Sequence, residues 1–279
     1  MGIELIAVGY STMEAVPLFH VAPGGSILRL LVGGGRDTGV DCDWVDTCSI
    51  LTASISSGVR VDAGSIVKYA SKWGVDAILF DGVDPLGRVE RRLIEVLRSR
   101  FLIGSRVQDP RGLDPSLVDF LLVDHIEPIG GDVPTHVLVG SLNGLMGKTH
   151  IEVLTYLEEP RYEEIIPIVE AVRGYPIHVF IHNYERGLHV FMKELARRAP
   201  YSYIHAGPYS RLDTYCPRCG TPLLSRGMGR LGASNLKNGS CPRCGYRIPL
   251  IGRVYDSTPS RIYMVTRGAA EWLHPARLG

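Results

Sequence analysis

The sequence has no long apolar run, and none reaches the ~18 residues that a membrane-spanning helix needs. Residues 1–10 lack a basic flank and a small-residue cleavage site, so we expect no signal peptide, a cytoplasmic location and no membrane partner. No H-E-x-x-H motif is present, and no Ser-His-Asp order follows a nucleophile elbow. The glycine run at residues 33–35 fits neither G-x-G-x-x-G nor Walker A. The sequence therefore lacks the motifs that are typical of zinc proteases, α/β-hydrolases, dinucleotide-binding enzymes and P-loop NTPases.

Net charge is also almost absent, at +1 over 279 residues, but its distribution is uneven. Residues 211–267 carry ten basic side chains and two acidic ones, a local charge of +8, which leaves −7 for the rest of the chain. The basic residues are Arg211, Arg218, Arg226, Arg230, Lys237, Arg243, Arg247, Arg253, Arg261 and Arg267. This pattern indicates a basic module beside an acidic main domain, which either docks on that domain or binds nucleic acid.

Apolar strand-like runs alternate with amphipathic helical stretches between residues 25 and 206, as expected of parallel βα units. The predicted strands are 27–32, 77–80, 101–104, 120–123, 151–157, 177–181 and 202–205. Helices are predicted at 64–74, 88–98, 162–173 and 187–198, whereas the glycine-rich segment 130–149 is predicted to have lost its helix. Seven strands with intervening helices favour an α/β fold with a full or partial TIM-type (β/α) barrel over an open doubly wound sheet. The predicted domains are a barrel at 1–210, a ribbon at 211–251 and a C-terminal extension at 252–279.

Two Cys-x-x-Cys knuckles give the strongest local signal. Cys216-Pro-Arg-Cys219-Gly and Cys241-Pro-Arg-Cys244-Gly are separated by the 21 residues from 220 to 240. Four thiolates at this spacing predict one tetrahedral zinc ion, and because no ligand position stays open, its role should be structural. Two disulfides or an iron ion are the alternatives, and a cytosolic setting argues against the disulfides.

The ribbon and its flanks resemble the AmmeMemoRadiSam-system radical SAM enzymes, which are similar to pyruvate formate-lyase activating enzymes. The matching stretches are Asp213-Thr-Tyr-Cys216-Pro-Arg-Cys219-Gly, the run from Asn235-Leu-Lys-Asn-Gly to Ile248-Pro249, and Pro17-Leu-Phe-His20-Val-Ala-Pro23-Gly24. Weaker matches follow in order at Asp84-Pro85 and at Ile177-His178-Val179. The resemblance covers most of residues 14–251 and implies a radical-SAM-like barrel. Residues 252–279 fall outside it, and the family's N-terminal cysteine-rich segment is missing.

The family's Cys-x3-Cys-x2-Cys motif holds a [4Fe–4S] cluster, whose fourth iron is chelated by SAM. Counted without gaps, its three positions carry Gly34, Thr38 and Asp41 here, and none of these can replace a thiolate. The resemblance therefore implies a member without the iron–sulfur cluster, in which radical chemistry is lost and SAM binding is doubtful. Cys42 and Cys48 are either ordinary thiols or, with His20, part of a different metal site.

The pocket of the family predicts a second set of residues. An acidic residue in its Glu-Pro pair reaches the SAM amino group, and Asp84 matches that residue, with Asp81 three positions earlier. Gly33 and Gly34 could present backbone amides to an anion beside Arg36. The alternatives are that Asp81 and Asp84 cap the next helix or bind water, and that the glycines form a plain turn. Late-strand histidines, His178, His182 and His205, either face the same mouth or are structural.

Three functions remain open on the sequence alone. The first is a radical-SAM-like barrel that has lost its cluster and binds a small polar ligand or a protein partner. The second is an enzyme that uses Asp81, Asp84 and the late histidines for acid–base chemistry. The third is a nucleic-acid-binding protein that uses residues 211–267. The sequence names no substrate and leaves catalytic residues unassigned.

Overall fold

The computed structural model describes residues 2–32, 58–82, 84–227, 229–260, 271–273 and 275–278. Its strands are β1 Gly2–Thr12, β2 Ser26–Val32, β3 Val59–Asp62, β4 Ala77–Gly82, β5 Leu102–Val107, β6 Phe120–His125, β7 His150–Leu157, β8 Ile177–Ile181, β9 Ser202–His205, β10 Thr214–Tyr215, β11 Pro222–Gly227, β12 Arg230–Ser234 and β13 Glu271–Leu273. Its helices are α1 Ala63–Trp73, α2 Arg91–Arg98, α3 Thr135–Leu145, α4 Ile166–Ala171 and α5 Leu188–Arg198.

Seven parallel strands form the body of the large sheet, in the order β2-β4-β5-β6-β7-β8-β9. These are the seven strands that the sequence predicts. Each parallel strand pairs with the next one along the chain, whereas a doubly wound sheet reverses direction partway. A singly wound order of this kind is compatible with a barrel-like α/β fold. Among the described residues, β2 and β9 do not pair with each other, so closure of the barrel is not seen.

The first strand carries the main departure from the predicted pattern. Strand β1 lies antiparallel to β2 and also pairs with β3 and β13. The sequence predicts no strand here, because side chains alternate between buried and more exposed only over residues 2–6. Residues 252–279, predicted as an extension, return through β13 to this edge of the large sheet.

A further correction concerns residues 130–149, for which the loss of a helix was predicted. Helix α3 spans Thr135–Leu145 and buries Leu138, Leu142 and Leu145 against the sheet. Its apolar residues recur at the helical spacing, which outweighs the helix-weakening effect of two internal glycines.

The sheet separates two apolar layers because alternate side chains point to opposite faces. One face packs on the helices through residues such as Leu30, Ile78 and Val153. The inner face encloses a second cluster, which the segment between β1 and β2 completes with Met13, Val16 and Leu18. This inner cluster is tightly packed, since a Cβ added at Gly104 would lie 2.1 Å from the Phe120 ring.

The ribbon packs against this body of the chain. Strands β10, β11 and β12 form its own three-stranded antiparallel sheet. Its apolar cluster, which includes Leu223, Leu231 and Ile248, is shared with Phe19 and with Tyr203 of β9. The ribbon is therefore docked on the sheet of its own chain.

Candidate metal centre and inner face of the sheet

The two cysteine knuckles have the same backbone geometry. In the first, Cys216 N–H donates to the carbonyl of Thr221 at 2.8 Å, and Gly220 N–H donates to Cys216 at 2.9 Å. In the second, Cys241 and Gly245 make the equivalent bonds at 2.8 and 2.9 Å. Both glycines adopt left-handed φ values, 70° and 71°, which favour glycine at this point of each turn. The repeated Cys-Pro-Arg-Cys-Gly sequence thus folds into two matching turns.

The knuckles bring the four sulfur atoms together. Their Sγ atoms all lie within 4.8 Å of one another, with Cys216 3.5 Å from Cys244 and Cys219 3.6 Å from Cys241. These distances exclude disulfides in this conformation, since a disulfide S–S bond is about 2.05 Å. They suit four thiolates around one ion, and the donor set can hold a metal such as zinc. A hydrogen bond with the Thr221 hydroxyl, 3.2 Å long, is the main cause that lowers the pKa of Cys219 to about 6.

The inner face of the parallel strands is more polar than an ordinary barrel interior. Arg29 of β2 donates through Nε to Asp81 of β4 at 3.1 Å, and its Nη2 pairs with the same carboxylate. Both side chains are almost fully buried. Asp81 also accepts the N–H of Gly82 at 3.0 Å. The predicted ligand-binding Asp81 therefore has a cationic partner within the chain.

A second buried ion pair lies on the next two strands. Arg106 of β5 binds Asp124 of β6 through two hydrogen bonds of 2.8 and 2.9 Å. The Arg106 guanidinium also donates to the Tyr156 hydroxyl at 3.2 Å. Paired and hydrogen-bonded charges of this kind are tolerated in an interior, although an apolar filling of the same volume is often as stable.

Asp84, by contrast, lies at a cavity of about 660 Å³ at the C-terminal ends of β4 and β5. Its backbone is left-handed, with φ 46°, which is uncommon for a residue other than glycine. The same cavity is lined by Gln108, whose Nε2 atom is buried and without a hydrogen-bond partner in the described part of the chain. Asp84 also accepts a long hydrogen bond, 3.4 Å, from Gly87 N in the short 3-10 helix Leu86–Arg88, whose N-cap residue is Pro85.

The late-strand histidines are divided between two environments. His178 is buried and bonds Glu152 and His205, whereas His182 is exposed beside Glu158. Glu152 also accepts the backbone N–H groups of Phe19 and His20 at 2.9 and 2.8 Å.

Several sequence-predicted residues lie outside the described part of the chain: Gly33, Gly34, Arg36, Cys42 and Cys48, together with Thr38 and Asp41, which the resemblance aligns with cluster-ligand positions. Of the residues that are described, the four cysteines converge. Asp81 and Asp84 do not share a site, because one is locked in an ion pair and the other lines a cavity.

Sequence reasoning missed the inner-face residues Arg29, Arg106, Asp124 and Glu152. A usable signal was present for two of them. Arg29 interrupts the apolar run of β2, and Glu152 sits in the strand β7 among Ile151, Val153 and Leu154. A charge inside a buried strand needs a partner, so such positions mark an interior network.

Comparisons with family models, with curated proteins and with solved structures find no match for this chain. Within the described residues, no helix is long and apolar enough to cross a membrane.

Proposed function

We propose that the chain is a barrel-like protein that binds a small polar ligand at the C-terminal ends of β4 and β5, and that its ribbon holds one structural zinc ion. The observation that carries the ligand proposal is the cavity of about 660 Å³ at Asp84 and Gln108. Small-molecule sites commonly have 300–1,000 Å³, a few convergent polar groups, and a place at this end of parallel strands.

Two groups in this cavity favour a ligand over solvent. The buried Gln108 amide nitrogen has no hydrogen-bond partner among the described residues, and an unmet donor of this kind costs about 1–3 kcal/mol. A ligand carbonyl, carboxylate or ring nitrogen would supply the missing acceptor. Asp84 adds a carboxylate that suits an amino group, whereas Arg111, which lines the same cavity, is already paired with Asp109. An amino acid or a nucleoside derivative combines these features.

The zinc proposal rests on the four converging sulfur atoms. With four thiolate ligands the ion has no open coordination position, so it would stabilise the ribbon and take no part in a reaction. Structural zinc contributes about 10–16 kcal/mol in small zinc-binding domains, which is most of the folding free energy of such a module.

The resemblance to radical SAM enzymes is also retained as a proposal. Three ligand positions of the family motif carry Gly34, Thr38 and Asp41, so the ancestral cluster would be lost. SAM would then bind without iron chelation, and more weakly than in that family.

Calorimetry and thermal-shift measurements with SAM, S-adenosylhomocysteine, methylthioadenosine and methionine test the ligand proposal. We expect at least one of them to bind, and Gln108→Met to weaken its binding about tenfold, or about 1.4 kcal/mol. Glu185→Gln, in a different cavity, is the matched control and should bind like the wild type. Absence of binding by all four compounds would overturn the ligand proposal.

A second candidate function is nucleic-acid binding by the ribbon. Residues 214–255 contain no Asp or Glu. Six basic side chains in that range are exposed: Arg218, Arg230, Lys237, Arg243, Arg247 and Arg253. Tyr215 and Tyr246 are 36% and 37% exposed on the same module, and exposed aromatic rings beside cations suit the stacked bases of a single strand.

Fluorescence anisotropy with a labelled 20-nucleotide single-stranded RNA tests this candidate. Binding should weaken steeply with salt, and Arg218→Ala with Arg243→Ala should lower the salt slope by one to two units. Arg91→Ala, exposed on helix α2, is the control. Weak binding that is unchanged by the double substitution would overturn this candidate function.

A further inference from the structure

A chain of three titratable side chains crosses neighbouring strands on the inner face of the sheet. Glu152 of β7 contacts His178 of β8, with 2.9 Å between Oε2 and Nε2. His178 in turn contacts His205 of β9, with 3.2 Å between Nδ1 and Nε2. Glu152 and His178 are fully buried, whereas His205, the last residue of its strand, is partly exposed.

Glu152 is built to remain a carboxylate. Burial by itself would raise its pKa, but hydrogen bonds from His150 and His178 outweigh burial and hold the pKa well below its usual range. Two backbone N–H groups, of Phe19 and His20, also donate to its oxygens. An ionised carboxylate accepts hydrogen bonds and donates none.

The ionised state of Glu152 determines which ring nitrogen is protonated in His178 and then in His205. Because Glu152 only accepts, Nε2 of His178 carries the proton. Burial lowers the pKa of His178, so its ring is neutral and Nδ1 holds a lone pair. That lone pair accepts the Nε2–H of His205. Burial, together with the neighbouring His178, holds the pKa of His205 well below its usual range, which leaves its Nδ1 as a free acceptor.

His205 also lines a cavity of about 290 Å³. Its described lining contains no Asp, Glu, Lys or Arg: Phe180, Ile181, His182, Tyr184, His205, Gly207 and Ser210. The Phe180 ring stacks on His205, with 4.1 Å between the ring centroids, and fixes the plane of the imidazole. His182 and Tyr184 also line a larger neighbouring cavity of about 700 Å³, whose charged lining residues are Glu159, Glu185 and Arg186.

We propose that His205 is a general base at this cavity, and that Glu152 and His178 are positioning residues that fix its tautomer. The ligand is a small, uncharged compound that carries a hydroxyl group, because the lining offers aromatic faces and neutral polar groups. In the step, the O–H bond of the hydroxyl breaks and an N–H bond forms at Nδ1 of His205. The oxygen keeps the electron pair and bonds to the carbonyl carbon of an ester co-substrate, the bond to the ester's leaving alcohol breaks, and the proton on Nδ1 passes to the oxygen of that alcohol. While the proton is on His205, the buried Glu152 carboxylate stabilises the imidazolium through His178.

This site is separate from the Asp84 and Gln108 cavity, so the two proposals can fail independently. The first test is the tautomer of the ring in the wild-type protein. Long-range ¹H–¹⁵N NMR spectra of histidine-labelled protein, with His205 assigned through His205→Gln, should show Nε2 protonated and Nδ1 bare at pH 7. In Glu152→Gln the side-chain amide can donate as well as accept, so His205 should become a mixture of tautomers.

The second test measures base catalysis with 4-nitrophenyl acetate. Water loses its proton to His205 and attacks the ester carbonyl, the bond to 4-nitrophenolate breaks, and acetate is the other product. We expect His205→Gln to lower kcat/KM at least tenfold. Glu152→Gln and His178→Gln should lower kcat while leaving KM near the wild-type value.

Matched controls are His136→Gln and His189→Gln, which are exposed on helices α3 and α5 and should retain wild-type rates. Either of two results overturns the proposal. One is a wild-type His205 protonated on Nδ1 or mixed between tautomers. The other is His205→Gln protein that is folded by circular dichroism and hydrolyses the ester at the wild-type rate.

Discussion

Arg226 of the ribbon lies over the ring of Phe19, with its guanidinium carbon 4.3 Å from the ring centroid. The same guanidinium donates to the Phe19 carbonyl at 2.7 Å and to the Thr214 hydroxyl at 2.7 Å. Phe19 belongs to the segment that reaches Glu152 on the inner face of the sheet. One arginine thus ties the ribbon to the interior of the large sheet.

Replacing Arg226 should weaken the packing of the ribbon against the large sheet. Arg226→Lys keeps the charge but cannot reproduce the planar fork, so we expect a loss of about 2–4 kcal/mol in the free energy of unfolding. Urea unfolding followed by tyrosine fluorescence measures it. Arg218→Lys, exposed on the first knuckle, is the control. Equal midpoints for the two variants would show that this packing does not depend on Arg226.

Removing the metal should unfold the ribbon. We expect about one zinc per chain by mass spectrometry of the metal content, and Cys216→Ser or Cys241→Ser should lose it after dialysis. Cys48→Ser, outside the four-cysteine cluster, should retain the zinc. A metal-free preparation that keeps a folded ribbon would contradict a structural role for the ion.

An iron–sulfur cluster should not form. The basis is the proposed resemblance to radical SAM enzymes, which aligns Gly34, Thr38 and Asp41 with the three ligand positions of that family's motif. After anaerobic reconstitution with iron and sulfide, the protein should show no visible charge-transfer absorption and no bound iron beyond the ribbon. Brown protein with several irons per chain would contradict this alignment of the motif.

The sequence predicts the backbone better than the chemistry inside it. The parallel strands are readable because each is a short apolar run, and the ribbon because four cysteines repeat a local turn. Strand β1 was missed because its side chains alternate between buried and more exposed only over residues 2–6, and because two of its three partners, β3 and β13, lie distant in sequence. The contact between Glu152 and His178 depends on the register of β7 with β8, which no single-sequence pattern specifies. The sequence could not show that Asp81 pairs with Arg29, because the two residues lie 52 positions apart. Asp81 was therefore predicted to bind a ligand.

Acid should destabilise the fold through His20. Its side chain is fully buried, with Nε2 2.7 Å from the Tyr203 hydroxyl and Nδ1 3.1 Å from the Pro249 carbonyl. Burial is the main cause that lowers its pKa to about 3, from 6.5 in the unfolded chain. Between these values the unfolded chain binds a proton that the folded chain does not. The stability is therefore complete above pH 6.5 and falls as the pH falls, by about 2 kcal/mol at pH 5.

Glu14 changes the stability with pH in the opposite direction to His20. The contribution of His20 is therefore measured as the difference in free energy of unfolding between the wild type and His20→Gln. Burial raises the pKa of Glu14 to about 7, so the folded chain binds its proton first and gains stability as the pH falls from 7 to 4.5. The wild type and His20→Gln both contain Glu14, so its contribution cancels when one free energy of unfolding is subtracted from the other. His20→Gln should be less stable than the wild type at pH 7.5, and this gap should shrink by about 2 kcal/mol at pH 5, whereas the gap for His189→Gln stays constant. Urea unfolding at each pH gives both gaps. A His20→Gln gap that stays constant in acid would mean that His20 protonates equally in the folded and unfolded chains, and a gap that widens would mean that the folded chain binds the proton more readily; either result contradicts the prediction.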